Sequence, residues 1–268
     1  MKLSTTAAVL VAAASCSGLA RADTYTVTSL FDSGAGTLRS AIADANANPG
    51  PDTITFHPSL SGVLALMSTI YVNDSVTIVG PASRTIAIDG TAAGISLYIQ
   101  YPQATDLGLI DLELVNGHSF AFISVDQLRL NVQRCVFRDI GATGVLEAGV
   151  FNTNWASLRK ITGVVQSCSF INNHGLHAGV LINFSHADGQ PLNFINCTFA
   201  DNGSTHGGAI AWIWNAVTPG QGVTAFTNCT ITNNSGGTSG MPFGAVHVAT
   251  ATTAPLQVAC RIRNSIFA

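Results

Sequence analysis

NVQRCVFRDI (131–140), GVVQSCSFINN (163–173), LNFINCTFADN (192–202), TAFTNCTITNN (224–234) and CRIRNSIFA (260–268) are variants of one pattern. They align on Cys135, Cys168, Cys197, Cys229 and Ser265, at intervals of 33, 29, 32 and 36 residues. Two residues on stand Phe137, Phe170, Phe199, Ile231 and Phe267; three residues before stand Val132, Val165, Phe194, Phe226 and Ile262. Four of the five registers then carry Asp139, Asn172, Asp201 or Asn233. The Cys and the residue two later share one face of a strand, because side chains alternate with period two. The apolar residue three before is out of phase with them. The chain must therefore bend at the intervening Arg, Ser or Asn, which gives two short strands joined at a corner and closed by an Asx turn. The Gly-rich segments LHAGVLI, HGGAIAWI and FGAVHVA supply a third strand per unit. Units of ~30 residues that stack like on like bury a core that no single unit could bury. The expected fold is all-β: a right-handed parallel β-helix, with coils ~4.8 Å apart. A β-sandwich, the main rival, predicts irregular strand spacing and no recurring Cys register.

Composition agrees with a single solenoid. Only 9% of the 268 residues are charged and 26 are Gly, a composition suited to a β surface of small polar groups. The net charge of −3 offers no basic patch, which excludes nucleic acid as a partner. The start, MKLSTTAAVLVAAASCSGLARAD, has one Lys, an apolar run and Ala20-Arg21-Ala22, so residues 1–22 read as an export signal cleaved before Asp23. The run is too short to span a bilayer, and no later segment forms a transmembrane helix. The mature chain is expected outside the cytoplasm, extracellular or associated with the cell surface or outer membrane. Residues 23–60 read as an N-terminal cap and first strand, and 61–268 as coils. The stack stops in mid-repeat at NSIFA, which reads as an incomplete C-terminal end.

Six cysteines less Cys16 of the signal leave five, so at least one is unpaired. Cys260, five residues before Ser265, shares the inward register of Leu130 and Leu192. Neighbours on parallel in-register strands are poorly placed for strain-free disulfides, so buried thiols acting as small apolar groups are expected. There is no C-x2-C pair, and neither a metal site nor a cofactor is indicated.

The segment GTLRSAIADANANPGPDTITF (36–56) is the exception to the β pattern. Thr37 is an N-cap candidate, and Leu38, Ile42 and Ala45 make one apolar stripe. A short helix here is expected to close the N-terminal mouth of the solenoid. Together with VTIVGP and IAIDG, the segment resembles the N-terminal block of bacterial exported right-handed β-helix repeat proteins. Their SLREAI…AN…DTI.F motif is matched by Thr37–Ile42, Ala45-Asn46 and Asp52–Phe56. The repeats resemble those of chlamydial polymorphic membrane proteins, with Gly207-Gly208-Ala209-Ile210 for GGA(I/L/V), and Phe170–Asn173 and Phe199–Asn202 for FxxN. The resemblance implies a surface or secreted protein, adhesin-like and non-enzymatic, with glycans or host and cell-surface components as partners.

The alternative is a polysaccharide lyase or glycoside hydrolase of the pectin-lyase-like fold. Asn-Thr-Asp, Asp-Asp and Gly-His-Gly patterns are absent, and nothing after Asp201 is acidic. Asp139 and Asp201 are the catalytic candidates. They lie two coils apart, hence ~9.6 Å, near the ~6.5–9.5 Å of an inverting pair. The simpler reading gives both the turn role of Asn172 and Asn233. His177 and His206 each follow a Cys by nine residues and stack on adjacent coils; with no third partner in register they read as a surface His ladder. Trp212 aligns with Ile182 and Val248 and reads as core. Trp214 is the exposed aromatic candidate for binding, beside His177 and His206.

Overall fold

From residue 106 onward, two backbone positions in each coil set the architecture. Asp111, Arg134, Ser167, Asn196, Asn228 and Asn264 form one column with φ between 48° and 55°. Asn116, Asp139, Asn172, Asp201 and Asn233 form a second, with φ between 52° and 60°. This left-handed region favours Asn and Asp, whose short polar side chains hydrogen-bond locally. Each column turns the chain while its amide N–H reaches the coil above, as Asp139 N does to Ile171 O (3.1 Å) and Asn172 N to Ala200 O (3.0 Å). The bend inferred at the residue before each Cys is therefore a left-handed corner.

The computed structural model describes residues 21–99, 106–123, 127–141, 148–153, 160–185, 191–215, 223–237, 244–250 and 260–268. Their strands form three long parallel sheets of nine, eight and seven strands, which make up a parallel β-helix. The fourth coil shows the plan: Gln127–Gln133 on the first sheet, Val136–Arg138 on the second and Phe151–Thr153 on the third. Leu130, Gly163, Leu192, Thr224 and Cys260 share one column, as the cysteine register implies. VLALMSTIYV is two strands, Gly62–Ala65 and Ile70–Val72, on different sheets. In the Gly-rich segments the glycines make the turn, and the third strands follow at Leu181–Ser185, Ala211–Asn215 and Val246–Thr250.

Stacking builds the core in columns. Phe137, Phe170 and Phe199 lie face on face at 4.9 and 5.0 Å, and Phe194 on Phe226 at 5.0 Å. Cys135, Cys168, Cys197 and Cys229 are free and buried. Each thiol donates to the carbonyl two residues before it, at 3.2–3.5 Å, across the left-handed corner. Ser265 makes the same contact at 2.9 Å, which explains why a hydroxyl replaces the thiol in the last register. A further column, at the second residue of the Asn-Asn and Asp-Asn pairs, is an internal amide ladder. Asn173 and Asn202 are fully buried, accept from the next-lower backbone N–H and donate to Phe137 O and Phe170 O.

Helix α1, Leu38–Ala47, is the only helix among the described residues. Thr37 and Ser40 form a reciprocal capping box, and Leu38, Ala41, Ile42 and Ala45 are buried. The helix packs on strands Thr24–Val27, Asp52–Phe56 and Ile70–Val72, the N-terminal rungs of two sheets. It also satisfies their open edge: Arg39 donates to Ser68 O (2.7 Å) and Thr69 O (3.0 Å), and Asn46 donates to Tyr71 O and accepts from Asn73 N, both at 2.8 Å. At the opposite end Ile262, Ile266 and Phe267 are exposed.

Two outcomes follow. Replacing Leu38 and Ile42 with Asp places two charges in the apolar seal, and the chain should aggregate or unfold, read by size exclusion and circular dichroism. A soluble, fully stable double variant would refute the cap. The thiols of Cys168 and Cys197 are pushed up to about 12, first by the neighbouring sulfur of the column and then by burial. Their folded values lie above the unfolded value of ~8.5. Their contribution is thus complete below ~8.5 and is lost as pH rises toward about 12. The urea midpoint should fall across that window, and less steeply for Cys168→Ala/Cys197→Ala.

Candidate functional site

The two catalytic candidates occupy corner positions. Asp139 and Asp201 have φ of 60° and 57°, the same column as Asn172 at 53° and Asn233 at 52°. Asp139 accepts from Asn172 Nδ2 (2.8 Å) and from Arg138 Nη1 (2.9 Å). The Asn172 amide, and then the Arg138 guanidinium, hold its carboxyl below the usual range against the opposing effect of burial. A general acid needs the opposite shift. Asp201 is exposed, with Asn172 on the coil between it and Asp139. The two acids share a column, and each serves the turn that asparagine serves on the neighbouring coils.

Carboxylates do gather with arginine at one level. Arg129 binds Asp106; Arg134 meets Asp111 in a two-pronged contact at 2.7 and 2.7 Å; Arg138 reaches Glu113 at 2.6 Å as well as Asp139. Asp106, Asp111 and Glu113 all lie on the third coil, and their three arginines all lie on the fourth. This seam pairs every one of those acids with a guanidinium.

A different group lies on the outer side of the third sheet. Along strand Ala211–Asn215, Ala211 and Ile213 join the main core, whereas Trp212 packs on a separate small cluster of Ala148, Ala178 and Ile182. Trp212 pairs in register with Ile182 and with His247, not with Val248, so its alignment with the core is corrected by one residue. Its ring meets His177 edge to face at 4.4 Å and His247 at 4.8 Å. His177 in turn lies 6.0 Å from His206 on the next coil. The paired histidines thus belong to a four-ring group over three coils. His247, which no spacing rule singled out, completes it, and burial pushes its imidazole down toward the neutral form. Among the described residues no group of three or more His, Cys, Asp or Glu could hold a metal ion.

Gly207 makes this geometry possible. A Cβ there would run into the Trp212 ring and the His177 carbonyl, so the first glycine of Gly207-Gly208-Ala209-Ile210 leaves room for the indole. Two coils earlier in the same sheet, Asn152 is fully buried, and neither its Oδ1 nor its Nδ2 has a partner among the described residues. Trp214 follows Trp212 by two; its backbone pairs with Phe184 and Ala249, and its side chain lies outside the described residues. Residues 1–20, most of the segment expected to be an export signal, also lie outside them. A pocket of about 390 Å³ at the C-terminal end is lined by Ile231, Asn233, Asn234, Ala245, Phe267 and Ala268, with no titratable side chain. No helix among the described residues is long and apolar enough to cross a membrane.

A scan of protein-family models and a search of curated proteins each return no match to this chain.

Replacing Gly207 with Ala should displace Trp212. The expected cost is about 1–3 kcal/mol in urea unfolding, with a changed near-ultraviolet circular dichroism spectrum. An unchanged spectrum at unchanged stability would show that the indole does not rest on this turn.

Proposed function

We propose that this chain is an exported repeat protein of the β-helix class described above, held at or released from the cell surface, which binds glycans or other surface components without transforming them. The observation that carries this reading is the outer side of the third sheet. It presents an indole framed by imidazoles, and Trp214 follows that indole by two residues in the sequence. Aromatic rings beside imidazole groups suit a neutral polyol, which offers C–H faces to the rings and hydroxyls to the polar groups. His206 is exposed and stands at the margin of this group.

The polysaccharide lyase or hydrolase reading draws on one feature, the sharing of Arg138 by Glu113 and Asp139. Both carboxylates are engaged by that guanidinium, and Asp139 is held ionised. The pair suits inter-coil bonding better than proton transfer.

The test is adsorption of the purified protein to a panel of immobilised polysaccharides, with reducing-end release measured on the same panel. Binding is expected to at least one member, weakened about tenfold or more by His206→Ala/Trp214→Ala, with no release. Release abolished by Asp139→Ala or Asp201→Ala would establish the enzyme reading instead.

A further inference from the structure

Asp52 is 1% exposed, yet its carboxylate is only half satisfied. Oδ1 accepts from the backbone nitrogen of Asp23 at 2.7 Å and from Asn48 Nδ2 at 3.2 Å. Oδ2 is buried and has no partner among the described residues. Burying one oxygen of a carboxylate without a partner is costly, and natural folds rarely leave it so. The group nearest to it is singular in another way. Asp23 directly follows Ala20-Arg21-Ala22, the small-residue pattern that ends the export signal.

We propose that removal of the signal completes this site: the new α-ammonium of Asp23 becomes the buried counter-ion of Asp52. The inference rests on the export reading above. Hydrolysis adds water across the Ala22–Asp23 peptide bond. The Ala22 carbonyl leaves as a carboxylate, and the Asp23 nitrogen takes up protons to become an ammonium. One N–H donor beside Oδ1 is thereby replaced by three, with a positive charge, enough to serve both oxygens. The nitrogen stays in place after the cut, because Asp23 O still accepts from Thr53 N (2.9 Å) and Thr24–Val27 still pairs with Thr53–Phe56. The cut also removes Arg21, whose guanidinium contacts the Asp23 side chain at 2.9 Å. The charge it takes from the edge of the site is returned closer to Asp52.

The other ionisable groups around the site are acidic or neutral at pH 7. They are the Asp23 side chain, which accepts from Asn48, Asp74 on the next rung, which accepts from Gly50 N, and Asp44 with Tyr25 beside the helix. The carboxylates among them favour a cation at the Asp23 nitrogen. The carboxylate raises the amine above its unfolded value of ~7.7–8.0. The stabilisation is therefore complete below that value and is lost as pH rises through the folded one.

The test has two arms. The full chain is exported from a bacterial host, and the N-terminal residue of the product is determined by mass spectrometry. The chain beginning at Asp23 is then compared with its Nα-acetylated form and with a form extended by Gly-Ser, in urea unfolding at pH 6.5 and pH 9.5. A terminus at Asp23, with an unfolding equilibrium constant at least about tenfold smaller for the free amine at pH 6.5 and a smaller advantage at pH 9.5, supports the proposal. Asp52→Asn should make the three forms equal. If that variant fails to fold, the acetylated wild-type chain carries the comparison alone. A terminus at Asp23 with equal stability of the three forms overturns the ammonium pair and leaves export standing. A product not cut at Ala22–Asp23 overturns the export reading, and this inference with it.

Discussion

Everything in this molecule depends on each coil returning to the path of the one before it. From the third coil onward, two left-handed corners per coil enforce that return. They fix where the first strand ends and the second begins, and where the second gives way to the turn. Once the path repeats, equal positions stack with no further instruction, so aromatic rings lie at 4.9 and 5.0 Å and thiols and amides form files. The intervals of 29 to 36 residues between registers are tolerated because their variation falls outside the corner and its flanking strands.

That dependence explains what could be read in advance. A residue whose side chain and backbone serve the same column leaves a trace at a constant offset. Cys, Phe and the Asn or Asp four residues on all do so, and hence the fold and the corner were visible. The amide ladder leaves an equally regular trace at Asn173, Asn202 and Asn234, but each follows another Asn or Asp and is easily counted with the turn. The helix motif was legible as an apolar stripe. The polar half of its purpose, Arg39 and Asn46 bound to the edge of the first rung, depends on where a chain some 25 to 30 residues later comes to lie.

The candidate site was harder to read because it does not repeat. Trp212 occurs once, Ile182 stands in its place one coil earlier, and His247 one coil later. A column with three different side chains carries no periodic signal, and a one-residue slip in alignment sent the tryptophan to the wrong face. The acidic candidates were legible for the opposite reason. They were conspicuous through their regular spacing, and that regularity came from the turn they build.

The acid–arginine seam bears on a weakness that repetition brings. Where Phe stacks on Phe and Cys on Cys, a coil laid on the wrong neighbour would bury much the same surface, so the core alone discriminates poorly among arrangements. Asp106, Asp111 and Glu113 sit on one coil, and Arg129, Arg134 and Arg138 on the next. The more exposed pair, Arg129 with Asp106, adds little strength, since exposed ion pairs contribute about 0–1 kcal/mol. Their value is that of an address. A coil displaced by one step would set most of these acids and arginines against neutral neighbours, and the penalty would distinguish an otherwise interchangeable layer.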